Sequence, residues 1–536
     1  MRKIVAALFV LVVATASLAV LTGAAAAQTS ARERLFVGFS NAPGAAERAL
    51  VARYGGTVRF SFPQVNAFAI ELASTKISAL ASEGGVRYVE QDPIRTPRGL
   101  ADAELAPSLS NGLYGLITTH AADAQNAGYI GAGVKACVAD TALATTHPDI
   151  AANFVAGHDA IDNDANPDVN DPSHPSVAET ETHGTHISGT LLGVKNTVGV
   201  FGVAYGAQLY EARVLGTQPD GSVGGTTSQT MDGVQWLADQ GCRVINLSLG
   251  GAARSRTEEE LYNDLAAHNT LIVASSGNSG RNRVEYPGAY PVVLSVGAVD
   301  RYGAHASFSN TGRGLDISAP GVAILSSVPA GQGRDASVSI GATTYAAAAM
   351  EFSPTTSGVT GPLVDCGYGT SEADCGASPP AGFVALIKRG SPTHRAVYFP
   401  TKVASAMAAG ASAAIVYNNV ADSFSGTLTT EDNNGTPWIP AVSVSDADGA
   451  TLLTHLGQMT TVANLAFAWD VFEGTSMATP HVSGVAALLL GKNASLTHSQ
   501  LRSILTSTAH DLGATGYDAT YGYGLVDATA ALAATP

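Results

Sequence analysis

The sequence contains few charged residues, and few of those are basic. Asp, Glu, Lys and Arg account for 13% of the 536 residues, and 28 Lys and Arg stand against 44 Asp and Glu, giving a net charge of -16. Since no cluster of basic residues is present to neutralise phosphates, nucleic-acid binding is not expected. The 46% of hydrophobic residues is too high for a disordered chain, and the length predicts several domains.

Long hydrophobic runs are also scarce, and the one that is long enough to span a membrane lies at the N-terminus. Met1-Arg2-Lys3 is basic, Ile4 to Leu21 is apolar, and Ala24 to Ala27 is a run of small residues. This order is typical of a secretory signal peptide with a cleavage site near Ala27. A membrane anchor is the alternative, because 18 apolar residues can cross a bilayer. The alanines favour a signal peptide, and therefore a secreted, extracellular protein with no membrane association after signal removal.

Cysteine is the third scarce residue type. The sequence has four cysteines, at positions 137, 242, 366 and 375. In an exported protein these thiols enter an oxidising environment in which disulfide bonds persist. Four cysteines allow three pairings, between which the residues alone do not decide.

The residues that follow the signal peptide have the pattern of a small α+β unit. Strands are predicted at 34–39, 58–62, 67–72 and 86–90, and helices at 45–54 and 76–82. The unit has roughly 70 residues and ends at Pro93, in the loop from Asp92 to Leu100.

From Leu113 onward, short apolar strands alternate with segments of helical length. Strands are predicted at 135–139, 208–214, 244–249, 271–275 and 292–296, with helices such as 227–240 and 256–268 between them. This alternation predicts a doubly wound, parallel α/β sheet that is covered on both faces.

The alternation breaks between about Gly331 and Asp470. In this stretch, predicted strands at 383–387, 413–417 and 439–444 are separated by glycine-rich turns. A long helix beginning near Ser476 then resumes the earlier pattern. We therefore predict an inserted β-rich domain, after which the chain returns to the α/β unit.

Three segments contain the residue types needed for nucleophilic catalysis. Asp140 ends a buried strand, His183 opens a helical stretch, and Ser476 directly precedes an apolar helix. A serine hydroxyl needs an adjacent base, which a neutral imidazole supplies, and a carboxylate fixes the imidazole tautomer. The N-terminus of a helix also offers unpaired N–H groups to a developing oxyanion. By chemistry alone Thr479 is a second possible nucleophile, but the position at the helix start favours Ser476.

Asn278 lies on a glycine-rich turn just after a buried strand, where its amide can donate to an oxyanion. Each of these residues also has an ordinary structural explanation. Asp140 suits a strand end, and Ser476 suits a helix cap. His183 and His186 have the spacing of metal ligands, but the Glu of a His-Glu-x-x-His motif is absent. Four such motifs in one order favour catalysis over four independent coincidences.

In order and spacing these segments resemble the subtilisin family, in which the acid, base and nucleophile follow in the order Asp, His, Ser. The segments that carry the resemblance are 135–149, the His183 block, Asn246-Leu-Ser-Leu-Gly-Gly251, the Asn278 turn and Gly474-Thr-Ser-Met-Ala-Thr-Pro-His481. Residues 32–92 resemble the inhibitory propeptide of that family. Residues 335–465 resemble the protease-associated (PA) domain, on the segments 382–390 and 408–419.

The resemblance implies five parts of the chain. These are a signal peptide (1–27), an inhibitory propeptide (28–97), the first part of a catalytic domain (98–334), an inserted PA domain (335–465) and the second part of the catalytic domain (466–536). The expected fold is an α/β, doubly wound subtilisin-like domain with an N-terminal α+β propeptide and a β-rich insertion.

The family fold also implies disulfide bonds and a cation site. It places Cys137 and Cys242 on neighbouring strands, which favours the pairs 137–242 and 366–375, with buried free thiols as the alternative for the first pair. It further implies a structural calcium ion and no catalytic cofactor. The expected oxygen ligands are the side chains of Asp149 and Asn196 and the carbonyls of Val194, Val198 and Val200; a loop held by hydrogen bonds alone is the alternative.

In the resembled fold the substrate adds a β-strand between two segments, here 221–224 and 248–250. The expected pocket for the residue before the scissile bond (P1) is formed by Ser248, Leu249, Gly250, Ser275 and Gly277. These walls are small or apolar and Ser279 leaves the pocket mouth neutral. They predict cleavage after Leu, Phe, Tyr or Met, since an unpaired Lys or Arg would be costly to bury.

The sequence therefore predicts a secreted serine endopeptidase with broad specificity, whose partners are protein or peptide substrates and its own propeptide. A binding pseudo-enzyme and a tripeptide-releasing exopeptidase are the alternatives. The context of Ser476 lacks the Gly-x-Ser-x-Gly motif of esterases and the paired acids of glycosidases. No residue is identified that would grip a free amino terminus, which favours an endopeptidase.

Overall fold

The computed structural model describes residues 32–97, 113–172, 177–178, 180–350, 352–393, 397–420, 426–428, 432–433 and 435–536. The predicted signal peptide (1–27) lies outside these residues. The predicted boundary at 97/98 falls at the end of the first range. Among the described residues no helix combines the length and the apolar character that a membrane span needs.

The N-terminal domain (residues 32–97) is a small α+β unit. Its elements are β1 (Arg32–Phe39), α1 (Ala45–Arg53), β2 (Thr57–Phe62), β3 (Ala67–Ala73), α2 (Ile77–Ala81), β4 (Val86–Gln91) and β5 (Ile94–Pro97). The first four strands form an antiparallel sheet in the order β2-β3-β1-β4. One face of this sheet packs on its own helices. The other face, with Phe36 and Phe62, joins the apolar core of the following unit.

The α/β unit (residues 113–332 and 468–536) contains most of the alternating elements that the sequence predicts. Its first part consists of α3 (Tyr114–Thr118), α4 (Ala121–Asn126), β6 (Lys135–Asp140), β7 (Phe154–Asp159), α5 (His183–Leu192), β8 (Gln208–Arg213), β9 (Gly216–Thr217), β10 (Val223–Thr226), α6 (Thr227–Asp239), β11 (Val244–Leu247), β12 (Leu249–Gly250), α7 (Arg256–Ala267), β13 (Leu271–Ser275), β14 (Leu294–Val299), β15 (Ile317–Pro320) and β16 (Ile324–Ser327).

Seven of these strands form a parallel sheet in the order β15-β14-β13-β11-β6-β8-β7. The chain builds β7 and β8 on one side of β6 and then crosses to build β11 on the other side. In doubly wound sheets this reversal opens a crevice at the carboxyl ends of the central strands. Asp140, at the end of β6, and Ser248, just after β11, therefore lie at this crevice.

The inserted barrel (residues 333–467) confirms the predicted β-rich insertion. Its elements are β17 (Gly333–Ile340), β18 (Thr343–Ala349), β19 (Thr356–Asp365), β20 (Val384–Lys388), α8 (Phe399–Ala408), β21 (Ala413–Tyr417), β22 (Asp432–Asn433), β23 (Thr436–Pro437), β24 (Ala441–Val444), α9 (Asp446–Leu452) and β25 (Met459–Phe467). Seven strands close in the order β17-β18-β24-β21-β20-β19-β25, so no edge of the barrel is left open to pair with another chain.

The chain leaves the barrel through β26 (Trp469–Phe472), which pairs with β16 from before the insertion. It then enters α10 (Thr475–Lys492), α11 (His498–Ser507) and α12 (Ala528–Ala534). Helix α10 is buried over nearly its whole length because it packs beneath the parallel sheet, against β11, β13 and β14. Ser476 is thus carried on one of the most enclosed elements of the α/β unit.

Both expected disulfide bonds are present. Cys137 of β6 is bonded to Cys242, which precedes the neighbouring strand β11, and Cys366 is bonded to Cys375 within the barrel. The alternative of free thiols in the sheet is therefore wrong for this structure.

Candidate active site

Asp140 and His183 meet at the crevice. The Asp140 side chain is fully buried at the end of β6, and its Oδ1 lies 2.7 Å from His183 Nδ1, in the first turn of α5. Oδ1 also accepts the Thr141 N–H at 2.7 Å. A carboxylate at Nδ1 makes this nitrogen the protonated one, so Nε2 is left with its lone pair free to accept a proton. His183 Nε2 is buried and has no hydrogen-bond partner among the described residues.

Ser476 lies at the N-terminal end of α10. Its hydroxyl donates to the Ser248 carbonyl at 2.9 Å, and the Ser248 hydroxyl donates to the Ser476 carbonyl at 2.8 Å. These reciprocal bonds join the start of α10 to the segment after β11. In this rotamer the Ser476 hydroxyl is directed at Ser248 and not at His183 Nε2, so rotation about its side chain is needed to form a Ser–His hydrogen bond.

Asn278 is placed beside Ser476 by Thr475. Both the N–H and the hydroxyl of Thr475 donate to Asn278 Oδ1, at 2.9 and 2.8 Å. The amide oxygen is thereby used for positioning, and the NH2 group is the end that can donate to another atom. The other predicted pocket residues are held to the same segments, because Ser275 donates to the Leu249 carbonyl and the Gly277 N–H donates to Thr475.

The cleft between β10 and β12 is occupied by the end of the N-terminal domain; we call this cleft the groove. Strand β5 pairs antiparallel with both walls, with Arg95 opposite Gly225 and Thr96 opposite Gly250. The second wall matches the predicted segment 248–250. The pairing on the first wall is at Gly225 and Thr226, just past the predicted segment 221–224, because β10 runs on to the start of α6.

A buried carboxylic acid lies behind Asp140. Glu211 is on β8, next to β6 in the sheet, and accepts a hydrogen bond from Ser188 of α5 at 3.0 Å. Burial, and next the negative charge of Asp140, raise the pKa of Glu211 well above its usual range. Glu211 is therefore neutral when Asp140 is ionised, so the site holds one negative charge and not two.

His186, the second histidine of the motif, is a structural residue. It stacks on Phe472 with ring centroids 4.4 Å apart, and its Nε2 lies 2.9 Å from the Ile324 carbonyl. Complete burial lowers its pKa to about 3, so it stays neutral. Its role here is to pack and to bond the Ile324 carbonyl.

The residues expected to bind calcium are arranged around hydrogen-bond donors. The Asp149 carboxylate accepts from Asn196 Nδ2 at 3.2 Å, the Val200 N–H at 3.0 Å, Ser327 Oγ at 3.1 Å and Trp469 Nε1 at 2.5 Å. Two expected ligand oxygens are also in use, since Asn196 Oδ1 accepts from the Val198 N–H and the Val194 carbonyl accepts from the Asn196 N–H.

This arrangement does not fit a calcium ion. A cation at Asp149 would face four donors that already point at the carboxylate, whereas calcium needs six or more free oxygen ligands. The structure instead matches the alternative of a loop held by hydrogen bonds. The donor that the loop sequence could not predict is Trp469, because it lies after the inserted domain, 320 residues from Asp149.

Comparison with known proteins agrees with this architecture. The subtilase family model matches residues 131–395, the PA domain model matches 359–452, and the model of the fervidolysin N-terminal prodomain matches 22–92. Subtilisin Savinase of Lederbergia lenta is 40% identical over 216 residues, covering 40% of this chain and 74% of that protein. Subtilisin E of Bacillus subtilis is 32% identical over 315 residues, covering 57% of this chain and 76% of that protein.

Two further relatives are covered to less than two thirds of their length, and a third almost completely. The alkaline protease of Alkalihalobacillus alcalophilus is 36% identical over 268 residues, and this chain spans 63% of its length. The psychrophilic subtilisin-like protease Apa1 of Pseudoalteromonas sp. AS-11 has 31% identity and a TM-score of 0.57, with 78% of this chain and 97% of that one covered. Fervidolysin of Fervidobacterium pennivorans, at 22% identity, shares the fold with a TM-score of 0.61, with 95% of this chain and 62% of that one covered. The chain belongs to the subtilase family and carries a prodomain and a PA domain.

Proposed function

We propose that this protein is a serine endopeptidase whose triad is Asp140, His183 and Ser476. The single observation that carries the proposal is the buried Asp140–His183 pair, with His183 Nε2 left as a proton acceptor in the crevice where Ser476 begins its helix. A base held in one tautomer beside a serine is the arrangement that nucleophilic acyl transfer requires.

In the proposed mechanism, the Ser476 hydroxyl turns from Ser248 toward His183. Nε2 takes its proton as Ser476 Oγ bonds to the carbonyl carbon of the substrate, and Asp140 stabilises the resulting imidazolium. The Ser476 N–H and the Asn278 NH2 donate to the oxyanion. His183 then protonates the leaving amine, and the acyl-enzyme is hydrolysed by water through the same steps, so no catalytic cofactor takes part.

The groove supports endopeptidase activity over exopeptidase activity. Strand β5 enters it as the continuation of a long chain, with β4 only three residues upstream. A segment preceded by many residues therefore fits between β10 and β12, as an endopeptidase substrate must. It also supports an inhibitory role for the N-terminal domain, because β5 fills the strand position that a substrate would need. Export and extracellular action remain part of the proposal, on the strength of residues 1–27.

The P1 preference is open to two interpretations. The predicted pocket walls favour Leu, Phe, Tyr or Met. However, a Cβ built at Gly277 would lie 2.9 Å from Glu285 Cδ, so an acidic side chain packs against one of these walls. This residue was missed because it lies seven positions beyond Asn278, outside the motif. Glu285 favours a basic P1 residue instead, and matched peptides ending in Phe or in Arg before the scissile bond distinguish the two.

The test of the proposed function is labelling with a fluorophosphonate probe, followed by mass spectrometry of a digested protein substrate. Wild-type enzyme is expected to be labelled at Ser476 and to release internal peptides, whereas Ser476→Ala should do neither. Thr479→Ala is the matched control, because Thr479 lies in the same helix turn and donates to the Thr475 carbonyl. A protein that is not labelled at Ser476 and cuts no peptide bond would support the pseudo-enzyme alternative, and release of tripeptides alone would support the exopeptidase.

A further inference from the structure

We propose that Glu258 makes this enzyme selective for arginine at the fourth residue before the scissile bond (P4). The inference rests on the proposed function and names a substrate class for the same groove. The observation behind the inference is an ion pair between Arg95 of β5 and Glu258 of α7, in which both side chains are fully excluded from solvent. A buried charge is costly unless it is paired, so a carboxylate at this place requires a cation.

The register of β5 gives the position of this arginine relative to the catalytic serine. Thr96 lies opposite Gly250 and Pro97 opposite Leu249 in an antiparallel pair. A substrate in the same register places its next residue opposite Ser248, whose carbonyl is 2.9 Å from Ser476 Oγ. That residue is the one attacked, which makes the three before it P2, P3 and P4, and P4 is the position of Arg95.

The pocket is built around the carboxylate independently of Arg95. Tyr262 donates to Glu258 Oε1 at 3.1 Å, and the Tyr290 hydroxyl lies 2.8 Å from Glu258 Oε2. The Glu258 N–H is capped by Ser255 at 3.2 Å, which fixes the residue in the first turn of α7. The positive end of that helix and two hydroxyls hold a negative charge at the groove wall.

Shape and charge together select arginine over other side chains. Arg95 Nη2 donates to Glu258, while Nη1 reaches the Ala253 carbonyl at 3.2 Å. A guanidinium can make both bonds at once because its donors are spread over a planar fork, whereas a lysine ammonium is a single point. An apolar side chain would cover Glu258 and leave its charge unpaired. Gly251 gives the guanidinium room, since a Cβ there would lie 3.1 Å from Arg95 Nη1.

The experiment compares kcat/KM of the self-processed enzyme on peptides Xaa-Thr-Pro-Phe and Xaa-Thr-Pro-Arg, each followed by the same leaving group, with Xaa as Arg, Lys or Leu. Within each P1 series we expect Arg to exceed Leu by about tenfold or more, with Lys between them. Glu258→Gln, which keeps the size of the side chain, should remove the difference. Glu259→Gln, on the same helix turn and paired with Arg254, is the control and should keep it.

The outcomes separate this inference from the proposed function. Wild-type enzyme that cleaves proteins but shows no preference at Xaa would overturn the P4 assignment alone, leaving the Arg95 pair as a feature of the N-terminal domain only. A preference retained in Glu258→Gln would overturn the role of Glu258. If Glu258→Gln fails to mature, the wild-type peptide series still decides. An enzyme that is neither labelled at Ser476 nor active on proteins would overturn both proposals.

Discussion

The N-terminal domain and the segments that lead into and out of the inserted barrel are held on the rest of the α/β unit by different kinds of groups. The N-terminal domain brings ionisable side chains to the surface it covers. Glu90 accepts from the Thr257 N–H at 2.9 Å and Asp92 from the Ser228 N–H at 2.9 Å, so each carboxylate caps a helix of the α/β unit. Arg95 adds the buried ion pair with Glu258.

The segments that flank the barrel, which belong to the α/β unit, are held by strand pairing and by hydrogen bonds to which they contribute neutral groups. Strands β16 and β26 pair where the chain enters and leaves the insertion, and Trp469 donates its indole N–H to Asp149. His147 Nε2 lies 2.8 Å from the Ala468 carbonyl. A buried ion pair is weakened when water returns or when either of its charges is lost, whereas the indole N–H of Trp469 and the carbonyl of Ala468 carry no charge to lose. The difference fits the proposal that the N-terminal domain is removed and the barrel is retained.

The strongest test of this difference is Ser476→Ala. If the N-terminal domain is removed by the enzyme's own site, this variant should accumulate as an uncut zymogen while the wild type is fully processed, as seen by gel and intact mass. Production in a protease-free host excludes cutting by other enzymes. A mature-sized product of Ser476→Ala in that host would contradict self-processing.

Asn278→Ala tests the catalytic step in the mature enzyme, from which the N-terminal domain has been removed. Loss of one oxyanion donor is expected to lower kcat by about 10²–10³-fold, the range reported for the corresponding asparagine of subtilisin. KM should change little, since the donor acts on the transition state. The thermal unfolding of the variant is the check, because Asn278 also accepts two bonds from Thr475. A fall in kcat that tracks a loss of folded protein would assign Asn278 a structural role only.

On the barrel side, Trp469→Phe removes one neutral donor from the buried Asp149. We expect a loss of about 1–3 kcal/mol in unfolding free energy, seen as a lower Tm, with kcat/KM at low temperature unchanged. Tyr302→Phe, at a ring that is 87% exposed, controls for removal of a polar atom from an aromatic side chain.

The hydrogen bonds to Asp149 also predict that chelation leaves the thermal stability unchanged. Because the Asp149 carboxylate is occupied by four donors, EDTA is expected to leave the Tm of the mature enzyme within about 1 °C. A larger drop that added calcium reverses would show that a cation displaces these donors and would restore the calcium site that the family resemblance implied.

A pH dependence of the N-terminal contact is also expected. Burial raises the pKa of Asp92 from 3.8 to about 6. Because the pKa of Asp92 is higher in the contact than in a free side chain, the contact is most stable below pH 3.8. It weakens as the pH rises to about 6 and the buried carboxyl group loses its proton. In the Ser476→Ala zymogen, hydrogen-exchange protection of the amides of residues 94–96, corrected for intrinsic rates, should therefore fall between pH 4 and 6 by up to about a hundredfold. Asp92→Asn should flatten this change, and an unchanged slope would contradict it.

Much of this molecule could be predicted from its sequence, because parallel strands and catalytic motifs are local patterns. The strand at 135–139 and the helix at 256–268 are confirmed within a few residues, and the first barrel strand begins at Gly333. The geometry also brings Asp140 to His183, although their catalytic roles stay a proposal. Glu258 could not be singled out, because it stands in a Glu-Glu-Glu run that is typical of a solvent-exposed helix face. Its partner lies 163 residues earlier, so its burial depends on tertiary contacts that no local pattern contains.

The position of β5 also bears on the order of the maturation reaction. A segment that is covalently attached and already hydrogen-bonded between β10 and β12 does not have to find the active site by diffusion. Its effective concentration at Ser476 is set by the tether and not by the amount of protein in solution. Self-processing of this chain should then be first order in zymogen, so each molecule matures at the same rate whether it is dilute or crowded.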